Sequence, residues 1–260
     1  GLKRFYESFD IKWIGRAGLD INEISENEKM KIDNHFRSGN CIPVYLDQEL
    51  KQEYLEGFCD NTLWPVFNYF TQKAQYETSY WEAYRHVNQL YADLIVKYIQ
   101  KDDILWIHDY HLMLLPKLIR EQFPKVSIGY FQHIPFPSFE IFRLLPWRQE
   151  LLEGVSGADL IGFHTYDYQR HFMSSVRRLM GYETFFNRIR LDDRIIKTDA
   201  FPKGIDYDFF NSRAKEVSEQ TIESETVIRR ELKTFHERGA GRKVILSIDR
   251  LDYTKGISDR

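Results

Sequence analysis

The feature that most constrains this chain is the alternation of short apolar runs with helical patterns between residues 104 and 180. Ile104-Leu-Trp-Ile-His108 is an apolar run of strand length, and residues 111–122 after it carry a helical pattern. Val126-Ser-Ile-Gly-Tyr-Phe131 reads as the next strand, followed by a loop stiffened by Pro135 and Pro137 and an apolar helix around 146–153. Ala158-Asp-Leu-Ile-Gly-Phe163 is a third strand, with a helix over 166–180 behind it. Strands apolar on both faces and separated by helices build a parallel sheet covered on both sides. The expected fold class is therefore α/β, a Rossmann-like parallel sheet.

Other segments attach to that frame. Trp81, Tyr84, Val87, Tyr91 and Ile95 fall close to one helical face, so residues 79–99 predict a long amphipathic helix. Ser25-Glu-Asn-Glu28 fits a capping box opening a polar helix to about residue 37. Ile11-Lys-Trp-Ile14 is strand-like after a helix at the very start, and residues 184–201 suggest two strands with a turn near Asp192-Asp193. From 212 to 238 the chain is charged and helical; Gly239-Ala-Gly241 breaks it, and Val244-Ile-Leu-Ser-Ile248 reads as a new strand. A domain boundary is expected within 205–243, with 1–210 as a first domain and 211–260 as a linker helix and the start of a second. A doubly wound sheet normally opens on a strand and a glycine turn. Neither precedes the first helix, so the sequence is expected to be a segment cut at both ends.

Composition removes several classes. Lys plus Arg is 36 against 39 Asp plus Glu, a net charge of −3 that offers no basic face to nucleic acid or an anionic membrane. Apolar residues at 43% and aromatics at 15% exclude a disordered polymer. No run approaches the ~18 apolar residues of a membrane span, and residues 1–12 hold no apolar secretory core. Cys41 and Cys59 build no disulfide framework, which points to a reducing, cytoplasmic setting.

Three stretches carry candidate chemistry. His108-Asp-Tyr-His111 follows a strand and precedes a helix, so it lies at the C-terminal edge of a parallel sheet, where open α/β folds bind ligands. Asp109 there suits hydrogen bonding to sugar hydroxyls. Two His three apart with one Asp is a weak metal set, and histidines satisfied inside the core are the plainer alternative. His133, in Phe131-Gln-His-Ile-Pro-Phe-Pro137, has the same placement one strand later. Asp249-Arg-Leu-Asp-Tyr-Thr-Lys-Gly256 sets Arg250 and Lys255 on a strand-to-helix turn, a diphosphate cradle. A surface ion cluster with Asp249, Asp252 and Asp259 remains the alternative there. No G-x-G-x-x-G, Walker A loop or serine nucleophile elbow is present.

The strings Trp13-Ile-Gly, Leu63-Trp-Pro, Tyr84-Arg-His-Val-Asn88, Trp106-Ile-His-Asp-Tyr-His-Leu112, His133-Ile-Pro-Phe-Pro137, Gly162-Phe-His-Thr-Tyr-Asp-Tyr168, Pro202-Lys-Gly-Ile-Asp206 and Arg250-Leu-Asp-Tyr-Thr-Lys-Gly256 run nearly end to end. In this order the chain resembles the trehalose-6-phosphate synthases. The resemblance implies a retaining glycosyltransferase of GT-B architecture, transferring glucose from UDP-glucose to glucose 6-phosphate in a cleft between two Rossmann-like domains. The chain would supply the N-terminal, acceptor-side domain and the first strand of the next. Trp13, Trp64 and Asp109 would line the acceptor side; His133 would meet the transferred glucose; Arg250 and Lys255 would hold the diphosphate. The family's acceptor-phosphate Tyr is replaced by Leu55, with Tyr54 beside it as a candidate substitute. No cofactor and no metal are implied.

The string from His164 to Tyr168 is closer to the eukaryotic-type branch, which implies room for fusion to a phosphatase domain; homo-oligomer assembly is also left open. With one wall of the cleft missing, residues 1–260 alone are expected to be inactive. Leu55 keeps two other readings open: a catalytically silent regulatory relative, and a glucosyltransferase with a different acceptor.

Overall fold

The computed structural model describes residues 9–219, 227–239 and 247–259. The chain divides into two compact units, residues 2–203 and residues 204–260.

The first unit opens with β1 (Trp13–Asp20), α1 (Glu26–Ser38) and β2 (Cys41–Leu46), the two strands pairing in parallel as a sheet of their own. The capping box forms as expected: Ser25 Oγ accepts from the Glu28 N–H, and the Glu28 carboxylate accepts from the Ser25 N–H at 2.9 Å. Sequence patterning gave no sign of β2, because Pro43 interrupts a six-residue strand that alternates half-buried and buried positions.

Next come α2 (Gln48–Lys51), a π-helix (Gln52–Leu63), α3 (Trp64–Phe67) and α4 (Thr78–Ile95). The wider π turn has no 3.6-residue signature, which is why it was not legible in the sequence. Phe58 from this segment packs between Trp81 and Tyr84 of α4 and Trp147, with ring centroids 4.5–5.4 Å apart.

The main sheet contains β3 (Ile104–His108), β4 (Ser127–Phe131), β5 (Leu160–Phe163), β6 (Glu183–Phe185), β7 (Arg188–Arg190) and β8 (Ile195–Ala200). Its order is β3-β4-β5-β8-β7-β6. β3, β4 and β5 run parallel, as the alternation required; β8 adds a fourth parallel strand that the alternation did not cover, and the β6–β7 hairpin closes one edge antiparallel. The 184–201 stretch thus holds three strands rather than two, the extra turn falling at Phe186 and Asn187. α5 (Leu115–Gln122), α6 (Phe139–Phe142), α7 (Arg148–Val155) and α8 (Tyr166–Met180) cover the sheet. α8 spans the expected residues and ends at Gly181, whose φ of +69° is a left-handed cap that favours glycine. α5 begins later than expected, because a 3₁₀ turn at Tyr110–Leu112 intervenes after β3.

In the second unit, α9 (Tyr207–Glu219) and α10 (Val227–Arg238) match the charged helical stretch. Of the expected strand 244–248, residues 244–246 lie outside the described residues and Ser247 and Ile248 carry no strand. The helix expected at the very start also lies outside them. Among the described residues no helix is long and apolar enough to cross a membrane.

Candidate active site

The C-terminal ends of β3 and β4 are welded together by Asp109. Its N–H donates to the Phe131 carbonyl at 2.7 Å, and its Oδ1 accepts from the His133 N–H at 3.1 Å. To do both, Asp109 adopts φ +69°, a conformation sparsely used by residues other than glycine and found preferentially at functional positions.

The turn after Asp109 is held from beneath. Tyr84 Oη donates to the Tyr110 carbonyl at 2.7 Å and accepts from the Met113 N–H at 2.9 Å. Asn88 Nδ2 donates to the His111 carbonyl and its Oδ1 accepts from the Leu114 N–H, each at 3.2 Å. Tyr84 and Asn88 are fully buried, so two polar groups on the core-facing side of α4 satisfy the backbone of this turn.

Two imidazoles meet at the strand ends. His108 Nδ1 lies 2.8 Å from His133 Nε2, so one of the two nitrogens donates and the other accepts. Trp106 packs on His108 with centroids 4.5 Å apart, and Trp13 approaches from β1 at 6.2 Å. Phe131 and His164 flank His133 at 4.7 and 5.7 Å.

Burial, then the neighbouring His133, holds His108 down to about 4. Burial lowers His133 too, helped by His164 and Lys203. His111 is lowered by burial despite the opposing charge of Asp109, with Arg16 adding to the effect. Asp109 is raised by burial, against the pull of His111 and of the N–H groups of Tyr110, His133 and Ile134. The site therefore gathers imidazoles held toward their neutral form beside the Asp109 carboxyl, a set with the hydrogen-bonding capacity to meet a polyol such as a sugar.

Trp13 is 44% exposed on β1, and Trp64, half-buried at the start of α3, has its ring 6.1 Å from that of Tyr110. Both therefore border the turn that carries Asp109. Tyr54 is 4% exposed, and its hydroxyl donates to the His111 carbonyl at 3.2 Å. It supports the turn from within the core, and Leu55 at the next position packs half-buried against the core. Arg250 and Lys255 belong to the second unit. There Arg250 is exposed and 3.9 Å from Asp252, whose Oδ1 accepts from the Thr254 N–H to cap the 3₁₀ turn Tyr253–Lys255.

Sequence reasoning left His164, Arg16 and Lys203 without a role. His164 carried a usable signal, since it follows β5 as His133 follows β4; Arg16 and Lys203 carried none. Gly162, two residues before His164, is needed for fit: a Cβ there would come within 2.6 Å of the Phe131 ring. Among the described residues no group of three or more His, Cys, Asp or Glu side chains is arranged to hold a metal ion. A groove of about 860 Å³ runs along β1, the start of β2 and β3; Trp13 and His108 line it, but Asp109 and His133 do not.

The family model of glycosyltransferase family 20 matches residues 1–260. The chain belongs to glycosyltransferase family 20. Within family 20 it is 42% identical, over 98% of its length, to "Alpha,alpha-trehalose-phosphate synthase [UDP-forming] 1" of Arabidopsis thaliana, covering 26% of that protein. Among solved structures it resembles the UDP-forming α,α-trehalose-phosphate synthase of Burkholderia xenovorans in complex with glucose-6-phosphate, with TM-score 0.73 and 30% identity over 83% of this chain and 46% of that one. It also resembles the N-terminal domain of Candida albicans trehalose-6-phosphate phosphatase, with TM-score 0.77 and 34% identity over 92% of this chain and 49% of that one. The chain spans about half the length, or less, of each of these relatives.

Proposed function

We propose that the protein carrying this chain transfers glucose from UDP-glucose to glucose 6-phosphate, giving trehalose 6-phosphate and UDP with retention at the donor carbon. The observation that carries this reading is the Asp109–His133 tie, which presents an acidic and an imidazole side chain together at the open edge of a parallel sheet. UDP-glucose is α-linked, and the α,α product named for the relatives keeps that linkage, which supports retention in the proposed transfer. Retaining glycosidases place two carboxyl groups about 5–5.5 Å apart and use one as nucleophile. Asp109 has no acidic partner in the candidate set, which favours a front-face transfer in which leaving diphosphate and incoming hydroxyl share one side of the sugar.

In that reaction Asp109, Trp13 and Trp64 bound the acceptor, His133 meets the transferred glucose, and Arg250 and Lys255 take up the charge growing on the diphosphate. Such cations accelerate the reaction only to the extent that they bind the departing diphosphate more strongly in the transition state than in the ground state. The unit of residues 2–203 then belongs to the acceptor-side domain and residues 204–260 begin the donor-side domain, in a cytoplasmic enzyme with room for a fused phosphatase domain and for self-association. Arg250→Ala and Lys255→Ala in the full-length protein should each cost on the order of 10²–10³ in rate with UDP-glucose while sparing glucose 6-phosphate affinity. Wild-type kinetics in both variants would overturn the assignment.

A second reading has its own support. The likeness to a phosphatase N-terminal domain, together with Leu55 at the acceptor-phosphate position, fits a catalytically silent relative that binds sugar phosphates without turning them over. UDP-glucose binding without UDP release would favour it.

A further inference from the structure

His108 makes no contact with the sugar in the reading above, yet it is the side chain most closely tied to His133. His133 Nε2 is taken up by His108 Nδ1 at 2.8 Å, and among the described residues His133 Nδ1 makes no hydrogen bond. The two rings are joined nitrogen to nitrogen, each wedged by aromatic neighbours: Trp106 and Trp13 on one side, Phe131 and His164 on the other. The main chain is fixed as well, since the His133 N–H is held by Asp109.

We propose that His108 is a positioning residue for the transfer reaction. By occupying His133 Nε2 in a hydrogen-bonded imidazole pair, it locks the ring and leaves Nδ1 as the one nitrogen that meets the donor sugar.

The inference rests on the reading that places His133 at the transferred glucose. With both rings neutral, the short contact holds one proton, and the two tautomers are linked. When His108 Nδ1 donates, His133 carries its own proton on Nδ1 and donates to a sugar oxygen. When His133 Nε2 donates, Nδ1 accepts from a sugar hydroxyl. A hydroxyl can do either, so the pair fits a sugar in both states, whereas an unpaired His133 would rotate and exchange between its two nitrogens. Fixing a group that touches the reacting sugar is worth most in the transition state, where small misplacements cost rate.

Two variants test this in the full-length protein. His108→Phe keeps a ring between Trp106 and Trp13 but removes the nitrogen; His108→Asn keeps an amide where Nδ1 was. With ring-¹⁵N histidine, the wild type should show His133 Nε2 in a hydrogen bond with a slowly exchanging N–H–N proton, and His108→Phe should abolish that signal. Turnover with UDP-glucose and glucose 6-phosphate should fall about ten- to a hundredfold in His108→Phe, with KM for glucose 6-phosphate moving less than about twofold, and His108→Asn should recover most of it. An unchanged His133 spectrum in His108→Phe, wild-type turnover in that variant, or equal loss of turnover in Asn and Phe would each overturn the proposal. If the wild type releases no UDP, the functional reading fails on its own, and with it the positioning role in transfer, while the ¹⁵N signal still shows whether the pair exists.

Discussion

The His133 N–H donates to Asp109 Oδ1 at 3.1 Å, binding the end of one parallel strand to the end of its neighbour. Asp109→Asn keeps the acceptor oxygen, whereas Asp109→Ala loses it at the same positive φ. The Ala variant should lose about 1–3 kcal/mol and the Asn variant clearly less, read from urea unfolding. Equal stabilities would show that the tie is dispensable.

Tyr84→Phe removes a hydroxyl that serves two backbone groups inside a fully buried site. The Tyr110 carbonyl and the Met113 N–H are then left without this partner. A loss of about 1–3 kcal/mol is expected in the same assay, with little change in secondary structure by circular dichroism.

The pH dependence follows from imidazoles held neutral. His108, His111 and His133 all sit below the ordinary imidazole value in the folded chain, His108 at about 4. The unfolded chain takes up those protons near pH 6.5 and the folded chain does not, so their contribution is complete above about pH 6.5 and is lost as pH falls toward 4. Allowing for solvent screening of a partly exposed ring, His108 alone contributes about 1–2 kcal/mol of that loss. Urea midpoints should drop between about pH 7.5 and about pH 5, and less steeply in His108→Phe. A flat profile would contradict the neutral imidazoles.

Positions 54 and 55 separate packing from acceptor recognition. Tyr54 donates to the His111 carbonyl within the core, so Tyr54→Phe should cost about 1 kcal/mol in stability and leave glucose 6-phosphate affinity unchanged. Leu55→Tyr should place a phenol at the position where the family resemblance implies an acceptor-phosphate tyrosine. One charge-assisted hydrogen bond of about 1.5–3 kcal/mol corresponds to roughly ten- to a hundredfold tighter binding. Calorimetric titration with glucose 6-phosphate reads both, and weaker binding in Tyr54→Phe would return that residue to the acceptor site.

The parallel sheet was legible because β3, β4 and β5 are short apolar runs with helices between them, and the placement of Asp109 and His133 at strand ends because each comes within two residues of such a run. The burial of Tyr54 was not legible, because adjacency in sequence says nothing about which way a π-helical side chain turns. β2 was hidden by Pro43, and the His108–His133 bond by its dependence on two strands 25 residues apart coming into register, which no local pattern encodes.

The most direct measurement is product analysis with the full-length protein, UDP-glucose and glucose 6-phosphate. One UDP should appear for each phosphorylated disaccharide, and NMR should show α linkage at both anomeric carbons. UDP-glucose bound but no UDP released, or a disaccharide with a β linkage at the transferred glucose, would contradict the assignment of this chain to a retaining trehalose-6-phosphate synthase.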